Sequence, residues 1–138
     1  MSFKKDTPLE KRMQLSEKIR EKYTDRLPVI IEIQKQPNSI KLTQNRFIVQ
    51  REHTIGRLLT EIRKNCENLE PKEAMFLFCD TQNGGILAPI SKTIEEIYNA
   101  YKDADGFLYF TIAKENVFGD SIINFCSGIV NGLIKFFF

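Results

Sequence analysis

His53 is the only histidine in the chain, and the cysteines Cys66, Cys79 and Cys126 are scattered, with no Cys-x-x-Cys pair and no companion histidines. That set fails the ligand spacing of a zinc site, so no metal and no cofactor are expected. A Ser-His-Asp or Cys-His mechanism would have to run through His53, which reads as a strand-to-helix turn residue with no nucleophile evidently placed for it. Paired carboxylates for acid–base work and a phosphate-cradling glycine loop are missing too. The chain is therefore expected not to be an enzyme.

A length of 138 residues allows one core, so one fold plus tails is expected. The composition, 42% hydrophobic and 28% charged, is that of a globular chain, and a net charge of +2 is too small to argue for nucleic acid. The basic residues of the N-terminal region (Lys4, Lys5, Lys11, Arg12, Lys18, Arg20, Lys22) are interleaved with Asp6, Glu10, Glu17 and Glu21, the pattern of a solvated face. An odd, scattered cysteine set suits a reducing compartment. Met1 to Arg12 is polar and charged, unlike a secretory signal, and cytosolic synthesis is expected.

Thr7-Pro8-Leu9-Glu10 predicts a helix start, with Thr7 as cap, Pro8 in the first position and Glu10 completing a capping box. Leu9, Met13, Ser16, Ile19, Arg20 and Tyr23 follow at helical spacing, a weakly apolar stripe suited to a helix lying on another surface. Val29 to Gln34 and Arg46 to Gln50 read as the strands of a first hairpin, with the polar stretch around Pro37-Asn38-Ser39 between them. Thr54 then caps a helix whose Ile55, Leu58, Leu59, Ile62 and Cys66 make the cleanest amphipathic pattern in the chain. Met75 to Cys79 is an apolar run of strand length, and Asn83-Gly84-Gly85 is turn chemistry. Thr93 with Glu96 forms a further capping box; Ile94, Ile97, Tyr98 and Tyr101 share a face, and Asp105-Gly106 closes that helix before a strand from Phe107 to Ala113.

After the first helix the expected order is β-β-α-β-α-β. Each element has one apolar face to bury, and a single mixed sheet wrapped over the long helix buries them all. That is an α+β, ubiquitin-like β-grasp fold, here with an N-terminal helical extension over residues 1–26, a domain over 27–119 and a hydrophobic C-terminal tail over 120–138.

From Thr7 to Gly119 the sequence resembles the autophagy ubiquitin-like modifiers, the family of microtubule-associated protein light chain three and the GABA-receptor-associated proteins. The resemblance is carried by Glu17-Lys18-Ile19-Arg20 with Tyr23, Asp25-Arg26 and Pro28-Val29-Ile30; by Thr54-Ile55-Gly56 with Ile62-Arg63-Lys64; by Ala74 to Phe78; by Asp105 to Tyr109; and by Phe118-Gly119. It implies that Gly119 is exposed by a processing cysteine protease, activated and passed between enzymes of the ubiquitin type, and joined to phosphatidylethanolamine. A glycine suits that passage, because without a Cβ it threads narrow clefts and offers an unhindered carboxylate.

The resemblance also implies that Arg46 to Gln50 is an exposed edge on which an adaptor peptide with an aromatic-x-x-aliphatic motif pairs as an extra strand. Ile19, Pro28, Ile30, Arg46, Ile48 and Phe107 would line the aromatic pocket; Phe47, Val49, Leu58 and Ile62 would surround the aliphatic one. Arg26, Arg46 and Arg63 would attract acidic residues flanking the motif. Gln50, His53 and Glu61 depart from the family pattern and make the aliphatic pocket more polar. Thr24 replaces a frequent proline, and the Asp80 to Pro89 loop is longer than is typical.

The segment Asp120 to Phe138 has 19 residues, mostly apolar, with Asp120 at its start and Asn124, Ser127, Gly128, Asn131 and Lys135 recurring at helical spacing. That length with those residues is marginal for a bilayer span needing about 20 mostly apolar residues. Two readings follow: a propeptide removed at Gly119, or an amphipathic surface helix that anchors an unconjugated peptide-binding scaffold. The first carries the expected location, cytoplasmic with a lipid-attached pool on autophagosomal or related vesicle membranes.

Overall fold

The structure is a computed structural model that describes residues 3–33, 42, 45–66 and 74–114. Its elements are α1 (Phe3–Asp6), α2 (Leu9–Lys22), β1 (Arg26–Ile33), β2 (Arg46–Gln50), α3 (Ile55–Lys64), β3 (Met75–Thr81), β4 (Gly84–Leu87), α4 (Ile94–Tyr101) and β5 (Leu108–Lys114). The strands form one mixed sheet in the order β2-β1-β5-β3-β4. β1 and β5 run parallel at its centre, and the other neighbours pair antiparallel.

The central strands are buried on both faces. Leu27, Val29 and Ile31 of β1 and Leu108, Phe110 and Ile112 of β5 point into the main core, where Ile55, Leu58 and Ile62 of α3 and Ile94, Ile97 and Tyr98 of α4 meet them. The alternate positions Ile30 and Tyr109 face the other way, into a second cluster with Phe3 and Phe107, covered by Leu15 and Ile19 of α2. Double-sided burial explains why β1 reads as a continuous apolar run instead of an alternating one.

Two predicted caps form. Thr54 accepts the Arg57 N–H at 3.2 Å, and Thr93 and Glu96 make a reciprocal capping box. The predicted box at Thr7 does not form: Pro8 occupies the cap position of α2 with no side-chain bond. Thr7 instead donates its N–H to the Phe3 carbonyl, ending the short helix α1, which the sequence did not announce. The predicted α2 stripe matches the buried face only in part, since Ser16 and half-buried Ile19 turn inward but its first residues do not and Arg12, outside it, does. Leu9 and Met13 are each 47% exposed, and the buried positions are Arg12 and Ser16. A polar network, not apolar contact alone, sets that face.

The sequence pattern does not announce β4, because glycine is depleted in strands and Gly84-Gly85 reads as turn. Both functions coexist there. Gln82-Asn83 form a two-residue connection between Thr81 and Gly84, which are paired, Gly84 takes the positive φ of 106° that the turn demands, and pairing continues to Leu87.

Candidate functional site

β2 ends the sheet, and among the described residues no strand pairs with its outer side. Its side chains alternate. Phe47 and Val49 lean toward the main core, and Arg46 and Ile48 toward the α2 side, both exposed. On the α2 side lies a cavity of about 350 Å³, walled by Leu15 and Ile19 of α2, Ile30 of β1, Arg46 and Ile48 of β2, and Phe107. Ile48 is 37% exposed, an apolar side chain left at the mouth.

Of the residues assigned to an aromatic pocket, Ile19, Ile30, Arg46, Ile48 and Phe107 are thus brought together around one cavity. Pro28 is buried beside it, paired in register with Ile48. On the opposite face, Leu58 and Ile62 lie in the main core at 2% and 0% exposure, with Val49 at 8%. They form a floor there, with half-buried Phe47 packed against it. Arg26 begins β1 opposite Gln50, and half-buried Arg63 lies in the last turn of α3. Phe118 and Gly119 lie outside the described residues, as does the tail to Phe138.

Sequence reasoning missed what holds α1 and α2 against the cavity. Asp105, 1% exposed, accepts from Arg12 Nε at 2.8 Å and from the Tyr109 hydroxyl at 2.6 Å through one oxygen, and from the Phe107 N–H at 2.9 Å through the other. Arg12 Nη1 donates to the carbonyls of Lys4 (2.9 Å) and Thr7 (2.7 Å), so one guanidinium ties both N-terminal helices to the loop before β5. Ser16 donates to the Asp105 carbonyl. Burial and the bond to Asp105 push the Tyr109 hydroxyl well above its ordinary value, leaving it a permanent donor. Gly106, at φ 90°, is where the two surfaces touch; a Cβ there would collide with the Ser16 side chain. The available signal was Arg12 and Ser16 four apart on one helix face.

Among the described residues, none near the cavity is arranged as a catalytic centre. Burial pushes the Cys79 thiol up to about 12 and raises Cys66 as well, so neither is a ready thiolate. His53 sits in the turn between β2 and α3, its carbonyl accepting from the Ile94 N–H. No group of His, Cys, Asp and Glu among the described residues is arranged to hold a metal.

A mixed five-stranded sheet wrapped over α3, with two helices added before β1, defines a ubiquitin-like domain with an N-terminal helical extension. The chain belongs to the Atg8 family: the family model described as "Autophagy protein Atg8 ubiquitin like" matches residues 11–119. It is 38% identical over 121 residues to Autophagy-related protein 8 of Dictyostelium discoideum, covering 88% of this chain and 96% of that one. Against Autophagy-related protein 8 of Neurospora crassa it is 39% identical over 118 residues, covering 86% and 93%. Its structure is similar to the crystal structure of Trypanosoma brucei ATG8, with a TM-score of 0.75 at 33% identity, covering 86% and 98%. It is also similar to Plasmodium falciparum Atg8, solved in complex with a Plasmodium falciparum Atg3 peptide, with a TM-score of 0.70 at 25% identity, covering 82% and 95%. The chain is thus a ubiquitin-like protein of autophagy.

Proposed function

We propose that the chain is a modifier that is coupled through Gly119 to phosphatidylethanolamine and recruits adaptors by pairing their extended peptides with β2. The observation that carries the recruitment half is the edge strand with different surroundings on its two faces. In an extended peptide, side chains three positions apart point to opposite faces. An aromatic residue would enter the cavity between α2 and Ile48, and the aliphatic residue three positions on would meet Phe47 and Val49 on the other face. Main-chain pairing with β2 supplies affinity common to all such peptides, and the two faces supply selectivity.

The coupling half is supported by the family match, which stops at Gly119, 19 residues before Phe138. A processing cysteine protease would expose Gly119, and activating and conjugating enzymes of the ubiquitin type would carry it. The Plasmodium relative solved with an Atg3 peptide supports a conjugating-enzyme partner. The product would be a lipid-attached pool on autophagosomal membranes drawn from a cytoplasmic one.

The recruitment half is tested by titrating isotope-labelled protein with a peptide carrying the aromatic-x-x-aliphatic motif. The expected result is amide shifts concentrated at Arg46–Gln50 and loss of binding when the aromatic residue becomes alanine. Shifts elsewhere, with none along β2, would remove the groove.

A further inference from the structure

β4 ends the sheet opposite β2, and among the described residues no strand pairs with its outer side. Its pairing with β3 fixes which main-chain groups point outward. Ala88 donates its N–H to the Leu77 carbonyl at 3.0 Å, and along an antiparallel pair the residues that bond to the neighbour alternate. Gly84, Ile86 and Ala88 therefore turn their main chain toward β3, while Gly85 and Leu87 present N–H and C=O groups outward.

Gly84 serves the turn, but nothing in its own fold requires glycine at residue 85. A Cβ on Gly85 would make ordinary contacts, 3.7 Å from Phe78 Cβ and 3.9 Å from the Cys79 carbonyl oxygen, and the register with β3 runs through it without a bulge. A strand glycine of this kind marks a close approach by another backbone. No residue from Thr81 to Ser91 carries a charge, in a chain that is 28% charged. Charge is a common guard on an open edge, and β2 has it in exposed Arg46. A two-fold contact sets a surface against itself, so pairing of identical copies calls for an edge without like charges.

We propose that β4 is a self-association edge, on which a second copy of this chain pairs antiparallel about a two-fold axis at Ile86. Residues facing each other across an antiparallel pair share one bonding type, and centring on Ile86 pairs both outward residues of each copy. Gly85 exchanges bonds with Leu87 of the second copy, its Gly85 with Leu87, and Ile86 meets Ile86. Each leucine lies across from a glycine, large against small. The turn at Gln82-Asn83 and Pro89 bound the contact, so the dimer is weak and reversible. The joined sheet carries a β2 at each outer end, which would let two adaptor contacts act together. That consequence rests on the groove reading; the pairing does not.

The test exposes full-length wild type, Ile86→Cys and Leu87→Cys to a mild oxidant at equal concentration. Facing residues that exchange no main-chain bonds bring their Cα atoms to about 4.5 Å, within disulfide range, so Ile86→Cys is expected to give a covalent dimer. Leu87→Cys, across from a glycine, and wild type, with its own cysteines, are expected to stay largely monomeric. Adding Gly85→Lys, whose Cβ has room in the monomer, places cations along the seam and is expected to cut the Ile86→Cys yield about tenfold. Sedimentation of wild type and Gly85→Lys over a concentration series reads the same contact without added cysteines, with mass rising for wild type and not for the variant. Cross-linking at residue 86 no greater than at residue 87 overturns the inference. So does association that Gly85→Lys leaves unchanged, which would place the contact on another surface, the tail included. Peptide binding along β2 is untouched by these variants, so loss of the dimer leaves the groove reading standing.

Discussion

Arg12 is the residue on which the N-terminal helices depend, because its guanidinium joins α1, α2 and the loop before β5 while almost wholly enclosed. Arg12→Ala would leave the Asp105 carboxylate buried with its cation removed, a loss of about 3–5 kcal/mol for pairs of this kind. Urea denaturation checks it: a shift below about 1 kcal/mol would mean the network is not a strong tether. Arg46 belongs to the binding surface instead. Arg46→Glu is expected to weaken a peptide with acidic flanks by about tenfold or more, since like charges at an interface cost several kcal/mol. A peptide with neutral flanks should lose less, and equal loss for both would argue that Arg46 acts through packing alone. Arg46, Ile48 and Phe107 could be named as pocket candidates only through the family resemblance, which sets them beside its edge strand. Phe3 and Asp105 could not be singled out, since one lies in a polar opening segment and the other reads as turn chemistry beside Gly106. Their roles arise from contacts between Arg12 and Asp105, 93 positions apart, which no local pattern carries.

At the level of elements, the amphipathic helices and apolar strands were readable because burial and period agree in them, as Ile55, Leu58 and Ile62 show in α3. The first turn of α2 was misread because Thr7 is occupied by α1, and β4 was hidden by two glycines. The seam between α1 and the α4–β5 loop has a pH signature. Burial alone would raise Asp103, but its bonds from Lys4 and from the Asp105 N–H outweigh that and hold it below the ordinary 3.8. A carboxyl lowered in the folded state stabilises above its unfolded value, and that contribution is lost as pH falls through the folded one. The stability difference between wild type and Asp103→Asn should therefore be present at neutral pH and shrink as pH drops below about 4. Urea midpoints from pH 7 to pH 3 would show it. A difference that stays constant across that range would mean the Lys4 pair contributes nothing in solution.

For the whole molecule, the fold class was legible because every element carries a single apolar face except the central strands, and only a sheet wrapped over α3 buries them together. The proposed coupling makes that body a carrier whose fold need not change when its terminus is modified. Gly119→Ala is accordingly expected to block processing and membrane attachment while leaving thermal stability within about 0.5 kcal/mol of wild type. The most direct test is the intact mass of the protein isolated from its own cells by affinity capture. The account predicts a species ending at Gly119 and a second one heavier by a phospholipid. Recovery of only molecules that still end in Phe138, on membranes as well as off them, would contradict it.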